Sequence, residues 1–319
     1  MPFPPALSFN RLRGGGFFLC ACLLLSAIAG PASAGPAVNQ FELKDLESAP
    51  GYLQFQSQNA WSFGQPSRAT AVLPNGERAY DDNSVGRQRE ALEMEMGFTT
   101  WLKMRIGIEF EQDRIDDPLR LSEANQFADL ILNGVGGELI AVLVPRDGNG
   151  IGLGVVAEIE KPFERSEQMQ LNTGLILEWA SGPWSASLVP TVVSFFRGEA
   201  NDEGRFDNKL DFAYAFQALY TASPAWAFGL EAYGTIDRLG SSGSATEAQR
   251  LFGDHDQHRA GPIVYYTRPL EGSAAKPAQN DAAGEDAEGS TVTVGLGYLA
   301  GLNENTADGT LKLSVEVDF

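Results

Sequence analysis

From Ala91 to Glu111 the chain alternates with a period of two. Leu92, Met94, Met96 and Phe98 interleave with Ala91, Glu93, Glu95 and Gly97. After Thr99-Thr100-Trp101, Leu102, Met104, Ile106, Ile108 and Phe110 interleave with Lys103, Arg105, Gly107, Glu109 and Glu111. Successive side chains of a strand point to opposite faces, so this stretch is a strand pair with one apolar and one charged face. A two-residue turn would set Gly97 opposite Met104 and break the match. A three-residue turn sets Met96 opposite Met104 and Glu95 opposite Arg105, with Glu93 diagonal to Arg105, and keeps both faces uniform.

The same pattern recurs along the chain while helical periodicity is nearly absent. Twelve segments carry it: 51–63, 90–98, 102–111, 129–144, 151–161, 168–179, 184–196, 208–220, 226–237, 258–266, 291–299 and 310–319. Several match the roughly 9–11 residues that cross a bilayer as a tilted strand. The clearer apolar phases, such as Leu210, Phe212, Tyr214, Phe216, Ala218 and Tyr220, hold no Asp, Glu, Lys or Arg. A basic residue at mid-membrane there would cost about 2–4 kcal/mol. The expected fold is all-β: a transmembrane antiparallel up-and-down barrel of about twelve strands. Pro190 interrupts one segment and predicts a bulge, since it cannot donate to the ladder. Gly134, Gly136 and Gly137 predict a kink in 129–144.

Residues 1–34 read as a signal peptide. Arg11 and Arg13 precede an apolar run from Phe17 to Ala29, and Ala32-Ser33-Ala34 offers small residues for cleavage. The run is too short to span a membrane as a helix. A lipoprotein signal ending at Cys22 fits less well, because seven residues of the apolar run follow that cysteine. Residues 35–50 are expected to be a short periplasmic segment, and 51–319 the barrel. Both cysteines, Cys20 and Cys22, leave with the leader, which excludes a disulfide scaffold, thiol chemistry and cysteine-bound zinc.

Connections mostly alternate in length. Residues 64–84, 112–128, 197–207 and 238–257 are long and polar, whereas 99–101, 145–150, 180–183 and 221–225 are short; 267–289 is a long exception on the short side. Outer-membrane barrels place short turns in the periplasm and long loops outside. Trp101, Trp179, Trp184 and Trp226, with Tyr220, sit at the short turns, where an interfacial aromatic girdle belongs. The terminal strand alternates to Phe319, resembling the signal read by outer-membrane assembly machinery. These features predict a Gram-negative outer membrane as the location, with the lipid bilayer and that machinery as partners.

The polar phase is rich in charge. Glu93, Glu95, Lys103, Arg105, Glu109, Glu158, Glu178, Lys209, Asp211 and Glu231 are expected to line the lumen, with Glu111, Glu160, Lys312 and Glu316 in the same phase. They can tune an open pore or pair across a closed interior. Twelve strands lie between the filled barrels of eight and the channels of sixteen, so width does not decide.

The chain carries 42 acidic against 23 basic residues, a net charge of −19. That balance excludes nucleic acid as a partner, which requires a basic face. The histidines, His255 and His258, lie in Gly253-Asp-His-Asp-Gln-His258 and form a weak metal candidate against the simpler reading of a polar loop tip. A barrel phospholipase needs a histidine and a serine held together, and no serine neighbours either histidine. Gly148, Gly150, Gly152 and Gly154 are followed by no helix, so Asp147-Gly-Asn-Gly150 reads as a hairpin turn rather than a phosphate cradle. No enzyme activity and no cofactor are expected.

Ala128-Asp-Leu130, Trp226-Ala-Phe-Gly-Leu-Glu-Ala-Tyr-Gly234 and His258-Arg-Ala-Gly-Pro-Ile-Val264 resemble the barrel family named for the MetA pathway of phenol degradation, over roughly residues 85–319. The resemblance implies an outer-membrane barrel grouped with transporters of small, often aromatic, molecules; it brings no catalytic residues. The expected function is a passive channel or uptake protein for a small-molecule solute, aromatic or apolar ones included. The alternative is a non-transporting barrel with a structural or surface-interaction role.

Overall fold

The computed structural model describes residues 41–319 apart from 75, 77, 82–85, 116–119, 147, 164–167, 197–207, 244–250 and 271–289. The leader, the 197–207 loop and most of the 267–289 connection therefore lie outside the described residues.

Among the described residues fourteen strands follow in chain order: β1 (Leu53–Phe63), β2 (Thr70–Val72), β3 (Arg78–Tyr80), β4 (Gln88–Gly97), β5 (Leu102–Gln112), β6 (Ile131–Val144), β7 (Gly150–Pro162), β8 (Met169–Ser181), β9 (Trp184–Phe196), β10 (Leu210–Ser223), β11 (Trp226–Ile236), β12 (Gln257–Pro269), β13 (Thr291–Gly301) and β14 (Gly309–Asp318). Twelve form one closed antiparallel barrel in which β1 pairs with both β4 and β14; β2 and β3 make a separate hairpin inside the connection expected to be a plain loop. Closure leaves no unpaired strand edge, the condition a sheet must meet in lipid. Among the described residues no helix is long and apolar enough to cross a membrane.

The alternation sets what the wall buries. Lys103, Glu95 and Asp211 are 0%, 1% and 0% exposed, whereas Leu230 and Ile151 are 59% and 69% exposed. Charge inside and aliphatic surface outside is the reverse of a water-soluble protein, and it is stable only with hydrocarbon against the outer wall. Acids and bases in the outward phase come near strand ends; Glu90 is one, and Gln88 Nε2 donates to its carboxylate at 2.6 Å.

Registers follow the hydrophobic match. Met96 faces Met104 and Glu95 faces Arg105 across the three-residue turn. Pro190 makes no bulge: its strand pairs with β10 without a shift, and with β8 it lapses at Leu175 and Ile176 and resumes in the same register. The missing donor thus costs a short gap in one ladder rather than a slip. The irregularities of β6 fall beside Asn133 and Leu143, not at Gly134, Gly136 and Gly137, which pair in register. Gly182, at φ 57°, makes the tight β8–β9 turn, and its N–H donates to Asn149 Oδ1 of the adjacent turn at 2.7 Å.

Candidate functional site: the barrel lumen

The ten inward-phase charges fall at four places. On β4 to β7, Glu95 receives Lys103 Nζ at 2.8 Å and Arg105 Nη2 at 2.7 Å; Arg105 Nη1 lies 4.0 Å from Glu93 and 3.9 Å from Glu138. Glu109 stands on the same wall between Ala91 and Gly134, and Glu158 lies opposite Glu138. At the short-turn mouth Glu178 accepts from Arg146 Nε at 2.8 Å. Across the barrel Glu231 accepts from Lys312 Nζ and Tyr233 Oη at 2.8 Å, Gln217 Nε2 at 2.7 Å and Tyr265 Oη at 2.5 Å. Lys209 and Asp211 sit apart, at the long-loop rim, 3.0 Å from each other; Lys209 also donates to Asp237 at 2.7 Å. These three residues join the start of β10 to the chain just past β11.

Residues 41–50, expected in the periplasm, instead send Phe41–Ser48 into the lumen. They share no strand ladder with the wall among the described residues, and their side chains hold them. Phe41 packs edge-on against Tyr233 with ring centroids 5.6 Å apart, and Arg259 lies over its ring at 4.9 Å. Glu42 meets Arg105. Lys44 meets Glu138 and lies 3.3 Å from Glu158; Asp45 receives Lys103 Nζ at 2.6 Å. Leu46 is buried against Gly152 and Gly154, where a Cβ would fall 2.7 and 2.5 Å from its methyls, and its N–H donates to Glu178 at 2.9 Å. Ser48 Oγ donates to the Thr99 carbonyl at 2.6 Å. Wall charges that the alternation leaves buried thus find partners on the segment, which is why it settles inside.

Phe41 and Leu46 also join a small apolar cluster with inward residues such as Ile140, Val156 and Ile176, a break in the otherwise polar interior. Beside the segment, toward the short turns, remains a cavity of about 360 Å³. Its lining includes Gln54, Gln56, Gln58, Gln217, Tyr265, Ser314, Lys312 and Glu316. Burial pushes the Tyr52 phenol below the mouth up, helped by nearby Asp45 and Asp318.

Trp101, Trp179, Trp184, Tyr220 and Trp226 are all exposed at the short-turn end. Trp184 and Tyr220 pair at 4.9 Å, and Trp226 meets Tyr266 at 4.8 Å. Phe319 packs edge-on against Phe55 at 5.8 Å across the closing seam. The two histidines do not converge: His255 Nε2 lies 2.7 Å from Asp81 Oδ1, while His258 Nδ1 lies 3.1 Å from Tyr214 Oη. Among the described residues no group of three or more His, Cys, Asp or Glu is arranged to hold a metal.

A closed twelve-stranded sheet with an aliphatic outer wall and a charged interior defines a transmembrane β-barrel of the outer-membrane class. One comparison supports the fold. The COG4313 outer membrane channel from Pseudomonas putida F1 superimposes with a TM-score of 0.55 at 10% identity, covering 87% of this chain and 99% of that one. The NanC porin gives 0.46 at 9% identity over 83% and 98%, and the CymD monoaromatic hydrocarbon channel 0.35 at 10% over 85% and 88%. No protein-family model and no curated sequence matches the chain, so the resemblance to the MetA-pathway barrels has no such support.

Sequence reasoning did not find Glu42, Lys44, Asp45 and Leu46, which precede the first strand and carry no periodicity. Glu138 escaped because β6 does not alternate cleanly, although its equal spacing from Gly136 and Ile140 carried the signal.

Proposed function

We propose that the barrel resides in the outer membrane of a Gram-negative bacterium and is a passive uptake channel for small molecules. The observation that carries this reading is the cavity beside residues 41–48, lined by amides, hydroxyls and charges. A barrel meant only as a wall has no use for an open polar cavity; smaller barrels fill theirs with side chains. The resemblance to the MetA-pathway barrels supports solutes with an aromatic or apolar body. The polar cavity wall supports solutes that also carry a polar or charged group.

The segment in the lumen favours a second reading, a closed barrel with a structural role. Planar-bilayer conductance separates the two. The refolded mature protein is expected to conduct weakly, and a form lacking residues 41–48 strongly. Silence from both would overturn the channel reading in favour of the closed one.

A further inference from the structure

Lys44 does more than cross-link the interior. Gly107 and Gly136 pair directly across β5 and β6 on the inward face, leaving a recess without side chains. A Cβ on Gly136 would meet nothing closer than Glu158 and Glu160 at 3.7 Å, while one on Gly107 would meet Glu93 Cγ at 3.0 Å. The recess is therefore open on the Gly136 side and bordered by Glu93 on the other. Glu93 faces Gly107 in the ladder and Glu160 faces Gly136, while Glu138 and Glu158 oppose each other one step along. Four carboxylates thus surround the recess. Lys44 is seated among them: its ammonium meets Glu138 and approaches Glu158 at 3.3 Å, while Asn172 Nδ2 donates to Glu160 at 2.5 Å and lies 3.4 Å from Glu158. Arg105 Nη2 is committed to Glu95. Glu138 is 3% exposed, and its Oε1 has no hydrogen-bond partner.

We propose that this recess is a binding subsite for a primary-amine cation, and that Lys44 is its tethered occupant, so that a small organic amine competes with the segment for it. Buried carboxylates stripped of their counter-charge are strongly disfavoured, so when the segment moves they must take up either a proton or another cation in place of Lys44. The carboxylates do not converge in a metal-holding arrangement, which favours an ammonium at the end of an organic stem over a bare divalent ion. The subsite's role in uptake rests on the channel reading and names its solute class; the binding itself does not depend on conduction.

The probe is n-butylammonium chloride, the lysine side chain without its backbone, titrated calorimetrically into the full mature protein refolded in detergent, with sodium chloride held constant. Lys44→Gln is expected to bind it about tenfold more tightly than the unaltered chain, and adding Glu138→Gln and Glu158→Gln should abolish the gain. Equal affinity with and without Lys44, or a gain that survives loss of both carboxylates, would overturn the proposal. Should Lys44→Gln fail to fold, the unaltered barrel still answers: saturating butylammonium must increase the mobility of a spin label at Ser48→Cys, and no change counts against the subsite. Conductance is read in parallel. Binding without conduction keeps the subsite and removes the channel; conduction without binding does the reverse.

Discussion

Arg105 Nη2 donates to Glu95 Oε2 at 2.7 Å, from directly opposite positions of the β4–β5 ladder inside the barrel. Glu42 and Glu138 also lie within reach of the same guanidinium. Arg105→Ala would leave several buried carboxylates short of counter-charge, a loss of about 3–5 kcal/mol for a broken buried pair. Urea unfolding of the protein in lipid vesicles should show it. Arg105→Lys retains the charge but not the fork, so its loss should be smaller. In an open lumen the alanine variant should also shift selectivity toward cations, read from reversal potentials in a salt gradient.

Leu46 seats the segment on two glycines. Leu46→Ala removes a buried side chain, a change that costs about 2–5 kcal/mol in packed cores. Gly154→Val attacks the same contact from the wall, since its Cβ would fall 2.5 Å from a Leu46 methyl. Both should raise single-channel conductance above that of the unaltered barrel. Unchanged conductance in both would mean that Leu46 does not hold the segment in place.

Closure depends on the last residue. The Phe319 N–H donates to the Leu53 carbonyl at 2.9 Å, and its ring packs on Phe55. Phe319→Ser keeps the hydrogen bond and loses the ring pair, which is worth about 0.5–1.5 kcal/mol beyond its area. The yield of heat-modifiable, assembled barrel should fall while export of the chain continues, as membrane fractionation would report.

Glu47 makes the seat pH-dependent. Its carboxyl is pushed up to about 7, first by the Asp45 carboxylate two residues away, although the residue itself is exposed. A carboxyl that binds its proton more tightly in the seated state stabilises that state as pH falls. The penalty for seating the ionised group is absent below its ordinary value of 4.5, grows through the interval, and is complete above about 7. A spin label at Ser48→Cys should therefore be less mobile at pH 5 than at pH 8. Glu47→Gln should flatten that difference; an equal difference in the variant would assign it to other groups.

The barrel was legible because lipid imposes a strong rule: outward positions are mostly apolar and charges there keep to strand ends, so parity alone located twelve strands and the Glu95–Arg105 register. The same parity puts Glu93, Glu178 and Glu231 inside without saying what they touch. Arg105 beside Glu93, Arg146 on Glu178, and Lys312 and Tyr265 on Glu231 come from other strands or turns, fixed by barrel curvature rather than by local pattern. The Phe41–Ser48 segment was the largest miss. It obeys no periodicity, since nothing repeats along its contacts with β5 to β8, β11 and β12. Pro190 erred the other way, because a two-residue gap in one ladder costs less than shifting every outward side chain of β9 to the inside.

The seam between β1 and β14 joins the beginning of the barrel to its end. A ladder between such distant stretches cannot form while the chain is incomplete, and it carries the greatest loop-closure cost of any in the sheet. Every other barrel ladder joins stretches closer in sequence. Residues 41–48 precede the first strand of that seam, so the closed seam encloses Lys44 with the carboxylates it neutralises and Leu46 with the glycines that seat it. The ladder that completes the wall also bounds what the interior contains.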